Sequence, residues 1–106
     1  MGDSGRMAKE ALFSSLRGDE LIAPLLPDFV ANLQQVALQI ESAAANNEMP
    51  LVAEFAHKVK GAARMYGFGI ISDHALAVED ALRSQPVEAQ RAAIRELLAT
   101  MRAAQA

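Results

Sequence analysis

The chain has 106 residues, of which 52% are hydrophobic and 22% are charged, a composition typical of one folded domain and not of a disordered chain. This length excludes an enzyme with separate cofactor and substrate domains. A net charge of −3, from 10 basic and 13 acidic residues, argues against nucleic acid as a partner, and the lack of cysteine excludes disulfide bonds and thiolate metal sites.

Alanine dominates the composition: 22 of the 106 residues are alanine, whereas aromatic residues make up 5% and tryptophan is absent. Helices packed through small side chains suit this composition better than a β-sandwich, which favours β-branched and aromatic residues. No apolar run approaches the roughly 20 residues that span a bilayer, and the N-terminus lacks the apolar segment of a signal peptide. We therefore expect an all-α, cytoplasmic protein without a membrane partner.

The N-terminal region is predicted to contain one short helix. Residues 1–6 are expected to form a flexible leader, and residues 7–106 a single domain. From Met7 to about Leu16, apolar residues recur every three to four positions, which indicates a short amphipathic helix that Gly18 ends. We expect this helix to be an additional element beside the main helices.

The first long helix is complicated by two prolines. Asp19 offers an N-cap, and the helical spacing of apolar residues continues from there to about Asn46. Proline inside a helix removes a hydrogen bond and clashes with the preceding turn. The helix therefore either kinks near Leu26 or begins with Pro24 or Pro27 in its first turn. The favoured interpretation is one bent unit.

Three further helices follow in the sequence. The first starts near Pro50 and runs to about Tyr66, where a Gly-Phe-Gly segment ends it. The others cover Ile70–Ser84 and about Val87–Ala104. Because short links join the four long helices, neighbouring helices should be antiparallel, and the simplest fold is an up-down four-helix bundle.

The helix that contains His57 has one apolar face and one polar face. At 100° per residue, the polar face carries His57, Lys60, Gly61 and Arg64, so the imidazole should point away from the core. A glycine in the middle of a helix costs about 0.5 to 1 kcal/mol relative to alanine, and here it keeps the surface beside the ring clear. The two cations could meet a phosphoryl group or a carboxylate. Together these residues indicate a nucleophile that exchanges an anionic group with a bulky partner.

The eight residues around the histidine read Ala56-His57-Lys58-Val59-Lys60-Gly61-Ala62-Ala63. This core resembles the signature of histidine-containing phosphotransfer (HPt) domains of bacterial phosphorelays. The resemblance extends downstream to Gly67 and the Val78-Glu79 pair and upstream to Phe29, whereas Pro27 departs from the family's pattern.

The resemblance implies an antiparallel four-helix bundle in which His57 accepts a phosphoryl group from the aspartate of a receiver domain and passes it to another receiver. It implies that Lys60 supports the transferred charge and that Gly61 leaves room for docking. The partners would be receiver domains of response regulators, a hybrid sensor kinase or both, with no small-molecule substrate. The chain would need no cofactor of its own, because the receiver's Mg²⁺ and lysine supply much of the charge neutralisation.

Four other residues are candidates for the surface that meets the partner. Lys58 and Arg64 lie on the helix of the histidine, and Phe29 and Leu33 lie on the preceding helix. The spacing of these two apolar residues also fits a place in the core, so the pattern leaves both interpretations open.

The sequence fits three alternatives to phosphotransfer to different degrees. Glu54-x-x-His57 has the spacing of di-iron bundle proteins, but such a centre needs a second motif, and His74 has Ile71 three residues before it. An ATP-dependent histidine kinase core is disfavoured for two reasons. In such cores an acidic residue normally follows the histidine, whereas Lys58 follows His57 here, and the sequence has no nucleotide-binding glycine motif. A helical module that binds a receiver or kinase domain without phosphotransfer remains open.

Overall fold

The computed structural model describes residues 10–106, and the predicted leader, residues 1–6, lies outside them. In chain order, the elements are strand β1 (Leu12–Phe13), a 3₁₀ helix (Ala23–Leu25), helices α1 (Leu26–Ala45), α2 (Met49–Met65), α3 (Gly69–Ser84) and α4 (Val87–Ala103), and strand β2 (Ala104–Gln105). Each helix packs against the next, and α1 also packs against α4, which closes the bundle. The predicted all-α four-helix bundle is confirmed.

The beginning of α1 resolves the choice that the two prolines left open. Pro24 lies at the start of the 3₁₀ helix and Pro27 at the start of α1, where neither residue removes an intrahelical hydrogen bond. Asp19 caps the preceding turn, since its carboxylate accepts the backbone N–H groups of Leu21 and Ile22 at 2.8 and 3.1 Å. The favoured interpretation of one long bent helix is therefore wrong, and the α-helix begins at Leu26.

Small residues allow the helices to approach one another closely. Ala37, Ala56, Ala63 and Ala75 are fully buried, one or more on each of the first three helices, and larger side chains fill the space between them. The largest fully buried side chains are Phe68, Leu26, Ile40, Ile71, Leu97, Met101, Val52 and Val78.

Among the described residues, no helix is both long and apolar enough to cross a membrane.

A short strand and a turn occupy the described part of the segment for which a helix was predicted from Met7 to Leu16, and Met7 itself lies outside the described residues. Within the described part, Leu12 and Phe13 pair in parallel with Ala104 and Gln105 of β2. The prediction of an additional N-terminal helix is wrong there, because backbone groups that a helix would pair locally bond instead to residues far along the chain. We call residues 11–18 the N-terminal strap.

The strap also fastens to the turn between α2 and α3. The Ser14 hydroxyl donates to the Tyr66 carbonyl at 2.6 Å, and the Ser15 backbone N–H donates to the Gly67 carbonyl at 2.9 Å. Gly67 has a φ of +86°, and a Cβ atom there would lie 2.4 Å from the Ser14 hydroxyl oxygen. Only glycine fits this position without strain, because both the backbone conformation and the close approach of the strap exclude a side chain.

Candidate functional site

Helix α2 carries His57 at its midpoint and turns it towards solvent. The buried side of the helix is formed by Val52, Ala56, Val59 and Ala63, which fixes the rotation of the helix about its axis. The imidazole is consequently 70% exposed. The structure therefore places this side chain as the helical pattern predicted, outside the core and open to approach.

Glu79 of α3 holds the exposed imidazole by one nitrogen. Its Oε2 atom lies 2.8 Å from His57 Nδ1. An ionised carboxylate can only accept hydrogen bonds, so Nδ1 is the protonated nitrogen of the neutral ring. The lone pair then resides on Nε2, the nitrogen that points away from Glu79. This carboxylate thereby selects the tautomer that leaves a nucleophilic nitrogen free.

The same carboxylate also binds a cation. Its second oxygen, Oε1, lies 2.7 Å from Lys60 Nζ, and the Glu79 side chain is only 18% exposed. The Lys60 ammonium lowers the pKa of the Glu79 carboxyl, the contact with His57 acts in the same direction, and partial burial opposes both. Glu79 is therefore a carboxylate at neutral pH, and it bridges the imidazole and the ammonium one turn apart on α2.

Gly61 leaves an open surface beside this cluster. A Cβ atom added to it would meet no other atom within 4 Å, so packing in the isolated chain does not require glycine. A helix with alanine at this position would be more stable by about 0.5 to 1 kcal/mol. The opening lies next to Lys60 and one turn from His57, on the face that an approaching molecule would meet first.

The two cationic docking candidates are exposed. Lys58 lies on the surface, and Arg64 is 66% exposed with its guanidinium 3.7 Å from an equally exposed Asp73 carboxylate. An exposed ion pair at this distance contributes little to stability. Both cationic side chains are therefore accessible from solvent.

The two apolar docking candidates occupy different depths. Phe29 is half-buried and stacks on Tyr66, with ring centroids 4.3 Å apart. Leu33 is 3% exposed and belongs to the core. It lines a groove of about 180 Å³ between α1 and α2, together with Phe29 and Lys58. At this depth Leu33 offers a partner almost no contact area, so it is a core residue and not a docking residue.

His74 differs from His57 in its burial and in its contacts. It is partly buried on α3, and no hydrogen bond or ion pair joins it to another described residue. It therefore provides a control for experiments on the first histidine. Within residues 10–106, no group of three or more histidine, cysteine or acidic side chains could hold a metal ion.

The role of Glu79 was not predicted from the sequence. In the sequence, the Val78-Glu79 pair was identified only through the family resemblance. The contact between His57 and Glu79 joins residues 22 positions apart on different helices, and such a contact leaves no local sequence pattern. A usable signal existed in the helical period of α3. Val78 is a core position, and the residue that follows it lies at the edge of the interface with α2, where a carboxylate is expected to have a partner.

Comparison with known proteins gives one positive result. The family model described as Hpt domain matches residues 24–106, which include all four helices and both residues that contact Glu79. Among curated proteins and among solved structures, no match was found. The N-terminal strap lies before the matched region.

Proposed function

We propose, for a chain that belongs to the Hpt domain family, that His57 accepts a phosphoryl group from a receiver-domain aspartate and passes it to another receiver. Members of this family act in histidine phosphotransfer in two-component phosphorelays. One observation carries this assignment. Glu79 holds Nδ1 at 2.8 Å, which leaves the Nε2 lone pair of a 70% exposed ring free to attack phosphorus.

The transfer step follows from this geometry. Nε2 attacks the phosphorus of the aspartyl phosphate, the new N–P bond forms as the bond from phosphorus to the aspartate oxygen breaks, and the aspartate leaves as a carboxylate. The ring keeps its proton on Nδ1 and gains a positive charge, which the Glu79 carboxylate stabilises. Transfer to the next receiver is the reverse of this step, so no proton needs to leave the site.

Lys60 balances the negative charge near the transferred group. Its side chain is 31% exposed, and its ammonium is paired with Glu79, so it offsets the repulsion that this carboxylate would exert on a phosphoryl group. In-line positioning and charge neutralisation account for most of phosphoryl-transfer catalysis. We expect Mg²⁺ to be bound by the receiver, and this chain to supply the nucleophile and one cation.

The partner would dock on the surface around His57. Gly61 leaves the approach open, Lys58 and Arg64 offer positive charge, and Phe29 offers apolar area at the edge of the groove. This arrangement suits a receiver domain of a response regulator or of a hybrid sensor kinase, which would bring an anionic aspartyl phosphate to this surface. A cytoplasmic location, expected from the sequence, stays a prediction.

The test is transfer from a phosphorylated receiver domain in the presence of Mg²⁺. Acid-labile, base-stable label should appear on the wild type and on His74→Gln, and it should be absent from His57→Gln. Gln is close to histidine in size and cannot form a phosphohistidine, and circular dichroism should show an unchanged helical content.

A different result would favour the docking module that the sequence left open. If several receivers bind measurably but leave no label on the wild type, the surface binds without transfer. Label that persists in His57→Gln and disappears in His74→Gln would assign the wrong histidine and overturn the proposal.

A further inference from the structure

A buried hydroxyl joins α3 to α2 beside the candidate site. Ser72, in the first turn of α3, is fully buried, and its hydroxyl donates to the backbone carbonyl of Lys60 at 2.9 Å. In a helix that carbonyl already accepts the N–H of the residue four positions later. The Ser72 bond is therefore additional to the helix's own hydrogen bonds, and it ties one helix to the other.

Ser72 and Glu79 act on the same residue from the same side of α3. They are seven positions apart, two turns along one helix, and so share a face. Ser72 holds the backbone carbonyl of Lys60, and Glu79 holds its ammonium at 2.7 Å. Lys60 is thus bound to α3 through its backbone carbonyl and through its ammonium. Glu79, which binds the ammonium, also binds His57.

This arrangement makes the Glu79 contacts depend on the register of the two helices. A hydrogen bond of 2.8 Å, such as that between His57 and Glu79, weakens steeply when its atoms shift out of alignment. The apolar contacts between α2 and α3 are not directional, so they restrict sliding and rotation less than a hydrogen bond does. Among the described residues, the Ser72 bond is the one hydrogen bond between α2 and α3 that does not involve Glu79, whereas Arg64 and Asp73 form an exposed ion pair at 3.7 Å.

We propose that Ser72 is a positioning residue for phosphotransfer. It sets the register of α3 against α2 so that one carboxylate reaches both the imidazole and the ammonium, and it acts on the histidine only through Glu79. The part of this inference that concerns transfer rests on the proposed function, whereas the part that concerns the imidazole tautomer does not.

The experiment compares Ser72→Ala with a matched loss of a buried hydroxyl elsewhere. Thr100 is also buried, but its hydroxyl donates to the carbonyls of Glu96 and Leu97 in its own helix. Thr100→Val removes that hydroxyl without breaking a contact between helices. Two quantities are measured on the folded proteins: the ¹⁵N chemical shifts of the His57 ring, which report the tautomer, and the rate of labelling by phosphoramidate, which needs no receiver.

In Ser72→Ala, the ring shifts should move towards a mixture of the two tautomers, and labelling should slow by about threefold to tenfold, the range expected for one lost hydrogen bond. Thr100→Val should match the wild type in both measurements. If Ser72→Ala lowers the melting temperature but keeps the wild-type ring shifts, Ser72 is only a stabilising residue and the inference is wrong. The ring shifts decide this even if the wild type takes no label, a result that would overturn the proposed phosphotransfer instead.

Discussion

The Glu79 carboxylate determines which nitrogen of His57 can react. Because it accepts a hydrogen bond from Nδ1, the free lone pair of the neutral ring lies on Nε2. In the transfer step that we propose, the bond to phosphorus would form there, and the same carboxylate would face the positive charge that develops on the ring. Its negative charge would then act twice, once to select the tautomer and once to stabilise the phosphorylated imidazolium.

Glu79→Gln should separate these two effects. The amide oxygen can still accept the hydrogen bond from Nδ1, but a neutral acceptor forms a weaker bond to a developing cation. We expect labelling by phosphoramidate to slow by about fivefold to tenfold, with a smaller change in the tautomer reported by ¹⁵N shifts. Equal labelling rates in Glu79→Gln and wild type would show that the charge is not needed.

The same residue should contribute to the pH dependence of stability. Its pKa in the folded protein is lowered, first by the Lys60 ammonium and then by His57. A carboxyl whose pKa is lower in the folded than in the unfolded state stabilises the fold above its unfolded pKa, and this contribution is lost as pH falls through the folded pKa. Urea unfolding between about pH 6 and about pH 3 should therefore show a shallower loss of stability in Glu79→Gln than in wild type. Parallel curves for the two proteins would contradict the ion pair.

Lys60→Ala should shorten the lifetime of phosphohistidine. The substitution removes the cation paired with Glu79 at 2.7 Å, so the carboxylate is left to repel the transferred phosphoryl group. The measurement is the decay of label after phosphoramidate is removed, without a receiver present. Lys58→Ala is the control, because Lys58 is an exposed neighbour that no ion pair joins to Glu79. Identical decay in both variants would make Lys60 an ordinary surface cation.

Helix α2 shows how one element divides its residues between folding and function. Its buried stripe positions the helix, and its exposed stripe contains a glycine that neither turn geometry nor packing requires. Gly61→Ala should stabilise the protein by about 0.5 to 1 kcal/mol in urea unfolding. A larger side chain, as in Gly61→Gln, should keep the helix but slow transfer from a phosphorylated receiver.

The chemical donor provides the control for this prediction. Phosphoramidate is small enough to reach His57 past a side chain at position 61, so its labelling rate should not change in Gly61→Gln. A fall in both rates would indicate damage to the site itself. Unchanged transfer from the receiver would remove the argument that Gly61 gives clearance for docking.

The four helices could be predicted because their signals are local. Pro50 and the glycine at position 67 mark the ends of α2 within a residue or two of the observed Met49–Met65, and the apolar period gives the buried face. The strap could not be predicted in this way. Its residues have helical spacing, but Ser14 and Ser15 bond to carbonyls 52 positions away, and such partners are visible only after the bundle has formed.

In the candidate site, too, the features set by a single helix could be predicted from the sequence, and those that depend on contacts between helices could not. The exposure of His57 and the open surface at Gly61 follow from the period of a single helix, so the sequence was sufficient to predict them. The bridge through Glu79 and the bond from Ser72 to Lys60 depend on how two helices meet. Leu33 shows the same limit, because one apolar spacing describes both a docking patch and a core position, and only packing distinguishes them.

At the scale of the whole molecule, the strap joins parts of the chain that lie far apart in sequence. It pairs with β2 at the end of α4 and bonds to the turn that follows α2. The family match begins at residue 24, so the strap is an addition to the matched bundle. Its contacts hold the carboxyl end of α2, where Tyr66 stacks on Phe29, a residue that we propose contacts the partner.

Gly67→Ala tests whether the strap is fastened in this way. A Cβ atom at position 67 would lie 2.4 Å from the Ser14 hydroxyl oxygen, and alanine would be strained at a φ of +86°. We expect a loss of about 1 to 3 kcal/mol in the free energy of unfolding, opposite in sign to the effect of Gly61→Ala. Ser14→Ala on its own should lose about 1 kcal/mol.

Combining the two substitutions separates backbone strain from the strap contact. If the added Cβ atom acts by displacing the strap, Ser14→Ala should cost less in the Gly67→Ala background than in the wild type, because the hydroxyl has already lost its partner. Strictly additive free energies would mean that the strain at position 67 acts alone. Hydrogen exchange of the Ser15 amide, which donates to the Gly67 carbonyl at 2.9 Å, then reports whether the strap has detached, since this hydrogen bond protects the amide until the strap opens.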